Sequence, residues 1–259
     1  MGRVLGPGPG SVAGLRWLAR VGLSPLDPWW YAMGWSEVAA RSHARRLESE
    51  GWLGRVPMVW GQGSMFYVTK LGVGVLGTGL GAQPEPQPNW WAHHSACAWT
   101  AAWLTVRGRR FLGEPELRRS GEWGERLAWF EAYGLRKSGH RPDLIAWAPS
   151  GNPYAIEVEL ARKSKARLNA ILSLHNDWML HGKVRVLLYI VGDQYAARRI
   201  RLGMQRKLYL SEGRVRIELL DTIKQETIEG FEARRANRAP AATEPPNPEH
   251  PSNRQSTRE

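Results

Sequence analysis

The sequence predicts a mixed α/β fold, with a small helix-rich module ahead of a larger domain built on a mixed sheet. Three observations carry this. "VRVLLYIV", residues 184 to 191, is almost continuously apolar and suits a strand buried on both faces. Before it, "DLIAW" and "YAIEVELA" read as two strands joined by the turn "APSGNP". Helical patterns flank this hairpin: "HHSACAWTAAWLTV" on one side, and Ser164 to His181 on the other, with Leu168, Ile171, Leu172, His175, Trp178 and Met179 along one face and Gly182 to end it.

Composition bounds the possibilities. A chain of 259 residues can form one large domain or two modest ones. The formal charge of +12 and a pI near 10.3 point to a polyanionic partner, most simply nucleic acid, though charge alone also fits an acidic membrane surface. One cysteine, Cys97, excludes an internal disulfide framework and a cysteine-cluster zinc site. The start of the chain has no signal-peptide pattern, and no run of about 18 apolar residues occurs. The expectation is therefore a cytoplasmic protein that does not enter a membrane.

Composition breaks divide the chain. The Gly- and Pro-rich stretch "GTGLGAQPEPQPN" reads as a connection, and from Arg234 the sequence has almost nothing to bury. The expected organisation is a module over 11–80, a linker over 81–92, a second domain over 93–233 and a disordered tail over 234–259.

Within the first module, residues 11 to 22 have a helical pattern, and "DPWWYAMG" is a short helix opened by Asp27 with Pro28 at its first position. Ser36 can cap a third helix, in which Ala40, Ala44 and Leu47 recur on one face while Arg41 and Arg45 lie one turn apart on another, beside Arg46. Gly51 can stop it. "WLGRV" and "MFYVT" then read as short strands, and Thr69 can cap a closing helix. Helix, helix, basic helix and two-stranded wing is the order of a winged helix-turn-helix, whose third helix enters the major groove of duplex DNA. Arg41, Arg45 and Arg46 are the expected DNA contacts. A small protein-interaction domain with solvated arginines has the same order.

The hairpin of the second domain carries the acidic groups. Period two sends Tyr154, Ile156, Val158 and Leu160 one way, and Glu157 and Glu159 the other with Ala155 and Ala161. Antiparallel pairing can bring Asp143 beside them. Either this is an edge hairpin with a solvated face, or it is the acidic centre of a metal site, since buried carboxylates need partners. His140 can position Asp143 or a phosphate, or make an ordinary hydrogen bond. His93 and His94 are adjacent on a helix and diverge, which reads as a structural or surface role. "YAARRIRLGMQRK" places Arg198, Arg199, Arg201, Arg206 and Lys207 around a helix that either tracks phosphates or is simply solvated.

Pro142-Asp143 at a strand start and Glu157-Val158-Glu159 on the next strand, then a helix and a buried strand, resemble the PD-(D/E)XK nuclease core. That resemblance implies Asp143 and Glu157 as metal ligands with the Val158 carbonyl, and Glu159 where a lysine usually stands. Lys163 or Lys165 would then reach the site, and Glu114 or Glu116 would supply an upstream acid. The implied metal is magnesium or manganese, which favour oxygen ligands and activate an attacking water.

Taken together, the winged-helix order with "HHSACAW", "EPELRR", "HRPD" and "IEVELARKSKARL" resembles the bacterial replication-relaxation family of plasmids and other mobile elements, over roughly residues 11 to 207. It implies a double-stranded-DNA-binding protein acting in replication, relaxation or transfer, with replication or transfer proteins as partners. Cleavage is one form of that activity. The competing readings are a noncatalytic regulator or accessory protein with an inactive nuclease fold, and an adaptor that binds RNA or acidic protein.

Overall fold

The computed structural model describes residues 8–57, 63–83, 87–126, 139–161, 163–205, 207–211 and 213–237. It is a mixed α/β structure with a mixed sheet and flanking helices. The expected wing tip within "PMVWGQGS", Arg206, and the tail beyond Asn237 lie outside the described residues.

The N-terminal module runs α1 (Pro9–Val21), β1 (Leu23–Pro25), α2 (Leu26–Met33), α3 (Glu37–Ser49), β2 (Leu53–Pro57), β3 (Ser64–Val68) and α4 (Lys70–Leu76). Local chemistry explains its helix starts. Ser36 Oγ accepts from Ala39 N at 3.2 Å and Thr69 Oγ1 from Gly72 N at 3.1 Å, each satisfying an amide the helix cannot. Asp27 does not open α2. That helix begins at Leu26 behind Pro25, because Leu23–Pro25 is already held as a third strand against β3. The resulting sheet has the order β1-β3-β2. Ala40, Ala44 and Leu47 turn inward as their spacing predicts.

The larger part adds α5 (Trp91–Val106), β4 (Phe111–Leu112), α6 (Glu114–Ser120), β5 (Glu125–Arg126), β6 (Gly139–His140), β7 (Leu144–Trp147) and β8 (Pro153–Glu159). Then follow α7 (Lys165–Leu180), β9 (Val186–Val191), α8 (Gln194–Met204), α9 (Leu208–Ser211), β10 (Val215–Leu219) and α10 (Leu220–Ala236). Its sheet has the order β10-β9-β8-β7-β4, parallel among β8, β9 and β10 and antiparallel from β8 through β7 to β4. A separate ribbon pairs β5 with β6.

Two buried clusters cover the faces of the five-stranded sheet. On one side α5 and Ile223 of α10 pack on Leu144, Ile156, Val158, Leu188 and Ile190. On the other, α7 and α8 pack on Ile145, Ala155, Leu187 and Val191. The first cluster also contains Leu15, Trp29, Leu47 and Phe66, so the N-terminal module and α5 share one apolar core across the predicted linker. Polar contacts reinforce the junction: Trp17 Nε1 donates to Thr105 Oγ1 at 2.9 Å, and Arg20 pairs with Glu116 at 3.1 Å. Gly113 is required there, because a Cβ would lie 1.9 Å from the Arg20 carbonyl oxygen.

At the C-terminal end, α10 continues through Ala236, past the expected start of the tail at Arg234. Phe231 is buried, and an Arg234 amine donates to the Thr105 carbonyl at 3.1 Å, which anchors the last turn to the end of α5. Among the described residues, no helix is long and apolar enough to cross a membrane.

Candidate functional site

β8 lies between β7 and β9, so the hairpin is central in its sheet and not a solvated edge. Period two then turns Glu157 and Glu159 toward the layer of α7, leaving them 2% and 7% exposed. Burying two carboxylates on one strand requires specific partners. Each has them.

Glu157 Oε1 is shared by two imidazoles, His140 Nε2 of β6 at 2.7 Å and His175 Nε2 of α7 at 2.9 Å. The rings are nearly perpendicular, at 87°, and His175 sets its edge against Trp178. Burial by itself pushes the Glu157 carboxyl up, but His140 and then His175 outweigh it and hold the group below the ordinary carboxylate range. Burial pushes His175 down, which favours the uncharged ring. His175 arises where the helical pattern of α7 carries an imidazole on its apolar face, a position that by sequence reads as core.

Asp143 is placed by backbone. Its amide donates to the Ile156 carbonyl at 3.0 Å, and its Oδ2 accepts from Val158 N at 2.7 Å. The other oxygen meets His93 Nε2 of α5 at 3.1 Å, and Cys97 Sγ lies 3.6 Å from the same nitrogen, one helical turn on. Burial opposes charge on His93, but Cys97 and Asp143 outweigh it and push its pKa up to about 11. The Cys97 thiol is itself pushed up to about 11, by burial. Sequence reasoning gave His93 no site role; only its position four residues before Cys97 on an apolar helix hinted at one.

Asp143 thus meets His93 of α5, whereas Glu157 meets His140 of β6 and His175 of α7. Two sets of side chains among the described residues could hold a metal ion, His93 with Cys97 and Asp143, and His140 with Glu157 and His175. Neither contains both predicted ligands. The Val158 group that meets Asp143 is its N–H.

No family model matches this sequence, and neither a curated protein nor a solved structure matches it.

The remaining candidates separate cleanly. Lys163 pairs with Glu159, four residues before it, and its carbonyl accepts from Arg199 at 2.8 Å. Lys165 instead lines an open groove of about 480 Å³ with Arg199 and Lys207. Of the two upstream acids, Glu114 borders a small cavity with Asp143, His94 and Cys97. Glu116 is committed elsewhere, accepting from Arg20 and from Gly113 N at the module junction. Arg41, Arg45 and Arg46 are exposed along α3, where Arg41 pairs with Glu37 one turn away.

Proposed function

We propose that this chain is a duplex-DNA-binding protein of a plasmid or other mobile element, acting in replication, relaxation or transfer. In this reading the N-terminal module is a winged helix-turn-helix and the larger domain is a PD-(D/E)XK-like core. The supporting observation is the exposed Arg41, Arg45 and Arg46 face of α3, carried by three helices and backed by the β1-β3-β2 sheet. A rigid helix with three outward guanidinium groups suits the major groove and its flanking phosphates. The net charge of +12 supplies the long-range attraction.

Replacing Arg41 and Arg45 together by Ala is expected to weaken duplex binding without unfolding the protein. Two lost phosphate contacts would flatten the slope of log affinity against log salt by about 2. Equal affinities for wild type and variant across a salt series would remove α3 as the contact.

A second reading, metal-dependent phosphodiester cleavage, is favoured by one further observation. Asp143, Glu157, Glu159 and Lys163 gather at one end of the β7–β8 hairpin and the loop that follows it. Magnesium or manganese would be the ion. Asp143 is held by His93 and the Val158 N–H, and Glu157 by His140 and His175, so no hydrolytic step is assigned to them. The expected result on supercoiled plasmid in magnesium is no nicking, with duplex binding retained, as in a noncatalytic accessory protein. Nicking that chelator and Asp143→Ala both abolish would establish the enzyme instead.

A further inference from the structure

The buried acid of β8 has partners that suit a different ion from the one the nuclease resemblance implies. We propose that His140, Glu157 and His175 form a binding site for a divalent transition ion of the zinc type, which magnesium does not fill. The site joins three elements, β6, β8 and α7, through the Nε2, Oε1 and Nε2 atoms, all within 4.8 Å of one another.

Geometry is the first argument. Zinc takes imidazole nitrogen and carboxylate oxygen at about 2.0–2.2 Å, which sets neighbouring ligand atoms about 3.3 Å apart in a tetrahedral shell. The present separations are 2.7 and 2.9 Å, both centred on Glu157 Oε1. Opening them by about half an ångström, a small side-chain rotation, therefore admits the ion.

Donor chemistry chooses the class. Magnesium requires near-octahedral oxygen coordination and keeps several waters, whereas two imidazoles and one carboxylate favour zinc and its neighbours cobalt, nickel, copper and iron. Burial reinforces the choice, since His140, Glu157 and His175 are 8%, 2% and 0% exposed and leave little room for a hydrated magnesium ion.

An unmatched buried oxygen is the independent observation. Buried polar groups are nearly always hydrogen-bonded, and an exception calls for an explanation such as an ion or an ordered water. Among the described residues, Tyr189 Oη is one of the buried polar atoms without a partner. Tyr189 is the register neighbour of Glu157 on β9 and shares its face, so a buried oxygen without a partner belongs to the layer that holds the three ligands. Such an ion would cross-link β6 and α7 to the centre of the sheet, and its binding energy would add to folding stability.

The test uses the full chain, tag-free and stripped with chelator, without DNA, so that its outcome is independent of duplex binding and cleavage. Zinc, cobalt and magnesium are titrated by calorimetry, with thermal melting before and after. We expect one equivalent of zinc or cobalt, a raised melting temperature with zinc, and neither effect with magnesium. Glu157→Gln and His175→Asn should each weaken zinc binding more than about 100-fold, beyond the ~10–100-fold that loss of an outer partner costs. Cys97→Ser should leave it unchanged. Wild-type protein that takes up neither zinc nor cobalt overturns the site. So does zinc binding that survives Glu157→Gln, or that Cys97→Ser removes, since the ion then sits with His93. Should His175→Asn fail to fold, the near-isosteric Glu157→Gln decides alone.

Discussion

Glu157→Ala, in chelator, is expected to lower unfolding free energy by about 3–5 kcal/mol. The carboxylate is the shared acceptor for His140 Nε2 and His175 Nε2, and both rings are buried. Truncation leaves two imidazoles without their partner in an apolar layer that includes Leu172, Trp178 and Val191. Removing one member of a buried charged network costs more than the network contributes, because the desolvation of the survivors is no longer offset. Glu157→Gln keeps an acceptor oxygen at the same place and should lose less. Equilibrium denaturation in guanidinium measures both. A loss from Glu157→Ala within about 0.5 kcal/mol of zero, the range of ordinary surface changes, would show that the histidines do not depend on it.

Trp29→Ala should be comparably severe, about 3–5 kcal/mol, the usual cost of truncating a large buried aromatic. The indole is fully buried, donates from Nε1 to the Gly14 carbonyl at 3.0 Å, and meets Trp35 edge-on at a ring separation of 5.6 Å. Its core is shared with α5 and the sheet, so one cooperative transition for the whole chain should shift. Trp90→Ala is the control, since that side chain is 54% exposed and should move stability by no more than about 0.5 kcal/mol. Two separate melting steps in Trp29→Ala, with the later one unmoved, would show that the module folds apart from the sheet.

Much of the fold is legible because it rests on local chemistry. Ser36, Thr69 and Ser164 each accept from an amide three residues on, an arrangement decided within a few residues of chain. The run from 184 to 191 contains β9, enclosed by parallel neighbours on both sides, as continuous apolarity demands. β1 was not legible. Three residues ending in proline carry no period, and "LSP" becomes a strand only because β3 offers it an edge. Likewise α10 owes its last turn to Phe231 and to a contact with Thr105, 129 residues away.

By itself the sequence determined that Glu157 and Glu159 share a face opposite Ile156 and Val158, because side chains alternate along any strand whatever surrounds it. It also determined which face of α3 presents Arg41, Arg45 and Arg46, because 3.6 residues per turn leaves no other arrangement once Ala40, Ala44 and Leu47 are buried. What those groups meet was decided only in three dimensions. His140 and His175 lie 17 and 18 residues from Glu157 and converge on one oxygen because β6 and α7 pack against the same face of β8. Asp143, one position before β7, is instead held by Val158 N and turned to His93 of α5. Spacing along a strand fixes direction within a sheet; the partner depends on which helix covers each face, and that is set by the packing of the whole core.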